Sequence, residues 1–275
     1  MPKVRIIALD LDGTLLNSRK ELTPACRDAL DRAAAAGIEI VPTTGRFFGG
    51  MPEAIRALPY LRYAITINGA QVADIRNDEV VYRAEIPAAQ AVEIMRYLDA
   101  LPVIYDCYQD NWGWMNRDMW ERCGDFVPDE HYYTMVRELR TPVDDLKQTI
   151  LERGRGVQKI QLFTKDEPLR ARLLRELEGK FGSIAVSTSV PNNIEINHAD
   201  ANKGAALLRL ADHLGIEHGE TAAFGDGLND LSMIKAAGAG IAMENAHPDV
   251  KACADFLTDS CDADGVAVGI DKYCL

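Results

Sequence analysis

Four short segments hold the residue types that chemistry at a charged centre needs. Asp10-Leu11-Asp12-Gly13-Thr14 follows an apolar run and carries two carboxylates at i and i+2, so both leave the strand towards the same side. Thr43-Thr44-Gly45-Arg46 offers a hydroxyl and backbone N–H groups at a strand-to-helix turn, which suits an anion. Lys203 stands at the start of a helix, and Gly225-Asp226-Gly227-Leu228-Asn229-Asp230 follows the apolar "AAF". Each segment alone has an ordinary explanation. An Asp after a strand forms turns or caps helices, Thr44 can cap the next helix, a lysine at a helix start usually faces solvent, and "GDGLND" can be a glycine-rich turn. Together they supply a nucleophile, an acid/base, a metal ligand, a hydroxyl and a cation.

The elements that must position these groups follow an alternating grammar. "KVRIIALD" is a continuous apolar run, as expected of a parallel strand buried on both faces. A helix follows, with Thr23 as N-cap, Pro24 at the first position, a stripe of Cys26, Ala29, Leu30 and Ala33, and Gly37 as the stop. "IEIVPTT" from Ile38 reads as the second strand and leads through Gly45 to another expected helix. The pattern returns near the C-terminus, with "NKGAALLRLADHLG", "TAAFGDG", a helix ending near Gly238 and the strand "GIAM". This is the signature of an α/β, doubly wound, mostly parallel sheet, whose ligands bind beyond the carboxyl ends of the strands, where all four segments fall.

Residues 84–191 break the pattern. A helix near Ala88 to Ala100 precedes "VIYDCYQDNWGWMN", which alternates as antiparallel strands do. The reading is an inserted α+β domain at 84–191 within a core made of 1–83 and 192–275.

Competing motifs fail on spacing. Asp10, Asp12, Thr14 and Glu21 occupy positions 1, 3, 5 and 12 of an EF-hand loop, but Leu15 replaces the central glycine and a strand precedes the loop. "GDGLND" lacks the third glycine of a dinucleotide fingerprint, because Asp230 stands there. A net charge of -12 argues against nucleic-acid or anionic-membrane partners. The six cysteines show no metal or disulfide spacing, and no apolar stretch reaches the roughly 20 residues of a membrane span. The apolar run Val4 to Leu9 is too short for a signal peptide. These features point to a cytoplasmic globular protein, monomeric or a small homo-oligomer.

With these motifs in place, the sequence resembles the haloacid dehalogenase superfamily of aspartate-nucleophile phosphatases. "DLDGT", Thr44, Lys203 and "GDGLND" are similar to its four motifs in order, and "TTGR", "INGA" and "NIEINHADANKGAAL" resemble its Cof-type branch, which carries a large α/β (type IIB) cap. The resemblance covers essentially the whole chain. It implies Asp10 as nucleophile and Asp12 as proton carrier, acting on a small phosphorylated metabolite such as a sugar phosphate. It further implies Mg²⁺ held by Asp10, the backbone carbonyl of Asp12 and Asp226, with Asp230 orienting this shell. Leu11, Thr44, Gly45, Lys203 and Asn229 form the implied phosphate-binding set. A phosphosugar mutase and a non-catalytic phospho-ligand sensor are the rival readings.

In the insertion, Trp112, Trp114 and Trp120 read first as its own small core, and otherwise, with Tyr108 or Arg117, as a grip on the leaving group. The histidines (His131, His198, His213, His218, His247) show no ligand spacing.

Overall fold

A computed structural model describes residues 3–127, 130–190 and 192–275, with His131 in its backbone only. The chain divides into two compact units, one running to Arg83 and resuming from Ala201 to Leu275, the other spanning Ala84–Asp200.

The first unit is built on a five-stranded parallel sheet. Ile6–Leu9 is central, with Glu39–Pro42 on one side and Thr221–Gly225, Ala239–Ala242 and Phe256–Leu257 in succession on the other. All four residues of the central strand are fully buried, which is why its sequence is a continuous apolar run. Helix Pro24–Ala35 joins the first two strands; the Thr23 side chain accepts from the Cys26 N–H, and Cys26, Ala29, Leu30 and Ala33 form the buried stripe. Helices Pro24–Ala35 and Gly265–Tyr273 pack together, as do Lys203–Leu214 and Leu231–Ala236. The chain leaves the central strand to one side and later returns to build on the other, so the switch point of this doubly wound sheet lies at the carboxyl end of Ile6–Leu9.

Two elements depart from the sequence reading. After Gly45 there is no full helix, only a 3₁₀ turn at Phe48–Gly50 and one helical turn at Glu53–Arg56. Gly49, Gly50 and Pro52 interrupt any longer run. A three-stranded antiparallel sheet (Tyr63–Thr66, Gln71–Asp74, Glu79–Arg83) follows, tied to the parallel sheet through a bridge between Thr43 and Ile65.

The second unit holds a six-stranded sheet in the order Ile184–Ser187, Asn193–His198, Lys159–Phe163, Ile104–Gln109, Trp112–Asn116, Arg140–Val143. Strand Asn193–His198 pairs antiparallel with Lys159–Phe163, so this segment belongs here and not to the core portion beginning at 192. Its alternating pattern suits an antiparallel strand with one apolar face. The hairpin at Ile104–Asn116 turns through Asp110 and Asn111, both with φ near +57°, the signature of a type I′ turn. Ile160, Leu162, Ile194, Ile196, Tyr105 and Cys107 form the apolar core with helices Ala88–Asp99, Leu146–Arg153 and Glu167–Phe181. Trp114 and Trp120 pack against that core; Trp112 is 36% exposed and does not.

The alternate residues of the same strands are polar, yet buried. Arg140 Nε lies 3.1 Å from Asp106, its Nη2 donates to the Tyr108 hydroxyl at 2.7 Å, and Lys159 pairs with Glu195 at 3.0 Å. Among the described residues no helix is long and apolar enough to cross a membrane.

Candidate active site

Parallel register brings three strand ends level. The Asp10 N–H donates to the Phe224 carbonyl at 3.1 Å and the Thr43 N–H to that of Leu9 at 2.7 Å, so the loops after Leu9, Pro42 and Gly225 open at one edge. Asp10, 7% exposed, is the first residue beyond the central strand.

Lys203 enters from the start of helix Lys203–Leu214. The Asn202 side chain accepts from the Ala205 N–H at 2.8 Å and starts the helix, and Lys203, its first residue, has no exposed surface. Its Nζ donates to Asp10 Oδ1 and to Asp230 Oδ1, each at 2.6 Å. Burial alone would weaken this ammonium's hold on its proton, but the two carboxylates outweigh it and keep the lysine charged. The other oxygen of Asp230 accepts from the N–H groups of Asp226 and Gly227, both at 2.9 Å, which fixes the loop that carries Asp226. Asp226 Oδ1 accepts from the Thr14 hydroxyl at 2.7 Å. Gly13 has φ +90°, and a Cβ there would stand 2.6 Å from Asp226 Oδ2, so only glycine lets the two loops approach this closely.

The charges do not balance locally. Asp10, Asp226 and Asp230 each place one oxygen within 4.8 Å of the others, against the one ammonium of Lys203. Burial, then the Asp230 and Asp226 carboxylates, push Asp10 well above the usual carboxylate range, with Lys203 pulling the other way. Burial likewise raises Asp226 to about 6. A cluster of hard oxygen donors that resists ionisation suits a divalent cation of the Mg²⁺ type. Asp230 is already engaged by Lys203 and two N–H groups, which leaves Asp10 and Asp226 as the carboxylates available to it.

Asp12 is in a different environment. Arg46 grips it with both prongs, Nε to Oδ2 at 2.9 Å and Nη2 to Oδ1 at 2.8 Å, and Lys20 adds a third contact at 2.9 Å. Burial would raise this carboxyl, but the two cations prevail and hold it below the usual range. In this state Asp10 is the reluctant anion and Asp12 the ready one.

The remaining expected residues surround this centre. Thr44 is buried, and its hydroxyl accepts from the Arg46 N–H at 3.2 Å. Gly45 lies beside Asn68, and Asn229, exposed on the turn Leu228–Asp230, donates to Asn68 Oδ1 at 3.4 Å. The Leu11 side chain is fully buried, so its backbone is what it can offer a phosphate. Sequence reasoning missed the Arg46 grip on Asp12, Lys20, Thr14 and Asn68. Arg46 had a signal, a cation one residue past a strand-end glycine; Asn68-Gly69 had another, a dipeptide that favours left-handed turns.

Comparison with known proteins identifies the family. The family model of haloacid dehalogenase-like hydrolases matches residues 7–270. YxeH of Bacillus subtilis is 34% identical, over 98% of each chain. The 5-amino-6-(5-phospho-D-ribitylamino)uracil phosphatase YcsE of B. subtilis is 30% identical over 99% of this chain and 96% of its own. A solved haloacid dehalogenase-like hydrolase from B. subtilis superposes with a TM-score of 0.80 at 29% identity, covering 98% of this chain and all of the other. The chain belongs to the haloacid dehalogenase-like hydrolases, in their Cof-type branch, and is a phosphatase of phosphorylated small molecules.

Proposed function

We propose that the protein hydrolyses a phosphate monoester of a small polyhydroxylated metabolite, of the sugar-phosphate or sugar-alcohol-phosphate class, through a phosphorylated Asp10. One Asp10 oxygen forms a bond to phosphorus as the ester P–O bond breaks, and the departing alkoxide takes a proton from Asp12. Water then attacks the same phosphorus, giving a proton to Asp12, and the bond to Asp10 breaks to release inorganic phosphate. The observation that carries this reading is the Asp10–Lys203–Asp230 chain of 2.6 Å contacts, which fixes a buried carboxylate at the switch point of the sheet.

Asp10, Asp226 and the Asp12 backbone carbonyl would hold Mg²⁺, which when bound neutralises the surplus carboxylate charge and polarises the phosphoryl group. Lys203, the Thr44 hydroxyl, the Gly45 N–H, the Leu11 backbone and the Asn229 amide hold the phosphoryl oxygens as charge spreads over them. Arg46 and Lys20 favour the ionised Asp12 left once its proton has gone to the alkoxide, and this is the state that receives the proton from attacking water. The substrate class is supported by the relative whose name specifies a phosphoribityl compound.

The test is a panel of phosphorylated metabolites with Mg²⁺. Wild type is expected to release phosphate, Asp10→Asn to be inactive with its fold intact, and Asp12→Asn to lose turnover because both half-reactions pass a proton through that carboxyl. Near-wild-type turnover by Asp10→Asn, or conversion of a hexose phosphate to its isomer without free phosphate, would refute the reading.

A further inference from the structure

After strand Tyr63–Thr66 the chain makes a turn that sequence preference opposes. Ile67, Asn68 and Gly69 all have positive φ, at 54°, 57° and 91°. Asparagine and glycine accept this region, but for a β-branched residue it is an outlier that persists only where the surroundings over-determine it. What holds the turn is informative. The Ile67 N–H donates to the Arg46 carbonyl and the Asn68 N–H to that of Thr44, both at 3.0 Å, and the Ile67 side chain is fully buried. On the far side Gly69 sits against the cap of the Lys203 helix, where a Cβ would lie 2.4 Å from the Asn202 carbonyl oxygen.

The side chain of the middle residue completes the pattern. Asn68 is 6% exposed, and its Oδ1 accepts from Asn229 Nδ2 at 3.4 Å and lies 2.9 Å from where a Gly45 Cβ would stand. The turn thus joins the Thr44–Arg46 loop, the start of the Lys203 helix and the Asn229 turn. We propose that Asn68 is a positioning residue of the phosphate site: its carbonyl holds one N–H of the Asn229 amide and directs the other towards the phosphoryl group. This rests on the proposed role of Asn229 in phosphate binding.

Asn68→Gly separates the side chain from the turn, because glycine keeps the left-handed backbone without strain. The full-length variant is expected to show about tenfold higher KM and about tenfold weaker competitive inhibition by inorganic phosphate, with kcat changed less and the melting temperature nearly unchanged. Asn229→Ala should weaken phosphate inhibition by a similar factor, and the double variant should be no weaker than either single, because both remove one interaction. Phosphate inhibition within twofold of wild type in Asn68→Gly, or additive losses in the double variant, would overturn the role. The functional reading fails separately, if Asp10→Asn retains turnover.

Discussion

Asp12 and Asp226 show how the same residue type is tuned in opposite directions. Removing one cation from Asp12 should raise its proton affinity, so Arg46→Gln is expected to move to higher pH the acid limb of the rate at which phosphorylated Asp10 is hydrolysed, the step that needs Asp12 ionised. An unmoved limb would mean that Asp12 does not set it. For Asp226 the sign is reversed. Its carboxyl rises from an ordinary 3.8 to about 6, so the folded state holds the proton more tightly than the unfolded chain. The stability this contributes is present below pH 3.8 and lost as pH rises through about 6. Asp226→Asn should therefore stabilise the metal-free protein at neutral pH by about 2 kcal/mol, an advantage that vanishes near pH 4. Mg²⁺ should raise the melting temperature of wild type and not of the variant, which thermal scans in chelator and in Mg²⁺ would read.

Elements were legible wherever local pattern decided them. Thr23-Pro24 with its stripe, the buried first strand, and the helix opening at Lys203 follow from capping chemistry and periodicity alone. The site was legible where its groups sit at strand ends, since register brings these level. Its partnerships were not: Arg46 reaches Asp12 across 34 positions and Lys203 reaches Asp10 across 193, separations that no local pattern encodes. The strand Asn193–His198 was misplaced for a related reason, because alternation identifies a strand without naming its sheet. In that sheet the Asp106–Arg140 pair has no exposed side-chain surface, and neither Asp106 oxygen is met with good hydrogen-bond geometry. Arg140→Met should destabilise the protein by about 3–5 kcal/mol by leaving a buried carboxylate alone, and adding Asp106→Leu should recover most of the loss. Urea denaturation of both variants tests this; a double variant as unstable as the single would mean that Arg140 contributes chiefly through its contact with Tyr108.

Among the described residues two hydrophobic cores share no member, and the chain passes out of the first at Arg83 and back at Ala201. In the sequence the α/β grammar breaks over residues 84–191, with no linker composition to mark either crossing. The strand order also sets a schedule for synthesis. Ile6–Leu9 acquires one neighbour early, at Glu39–Pro42, but its other edge waits for Thr221–Gly225. At roughly 5–20 residues per second that wait is on the order of 10–40 seconds. Throughout it the nascent chain holds an apolar strand with one unpaired edge, and for most of it Asp10 lacks its lysine. The second unit, contiguous in sequence, can complete itself meanwhile. The ribosome therefore delivers the inserted unit before the nucleophile's setting, so the nascent chain is chemically silent and vulnerable to edge-to-edge association until Thr221–Gly225 is made.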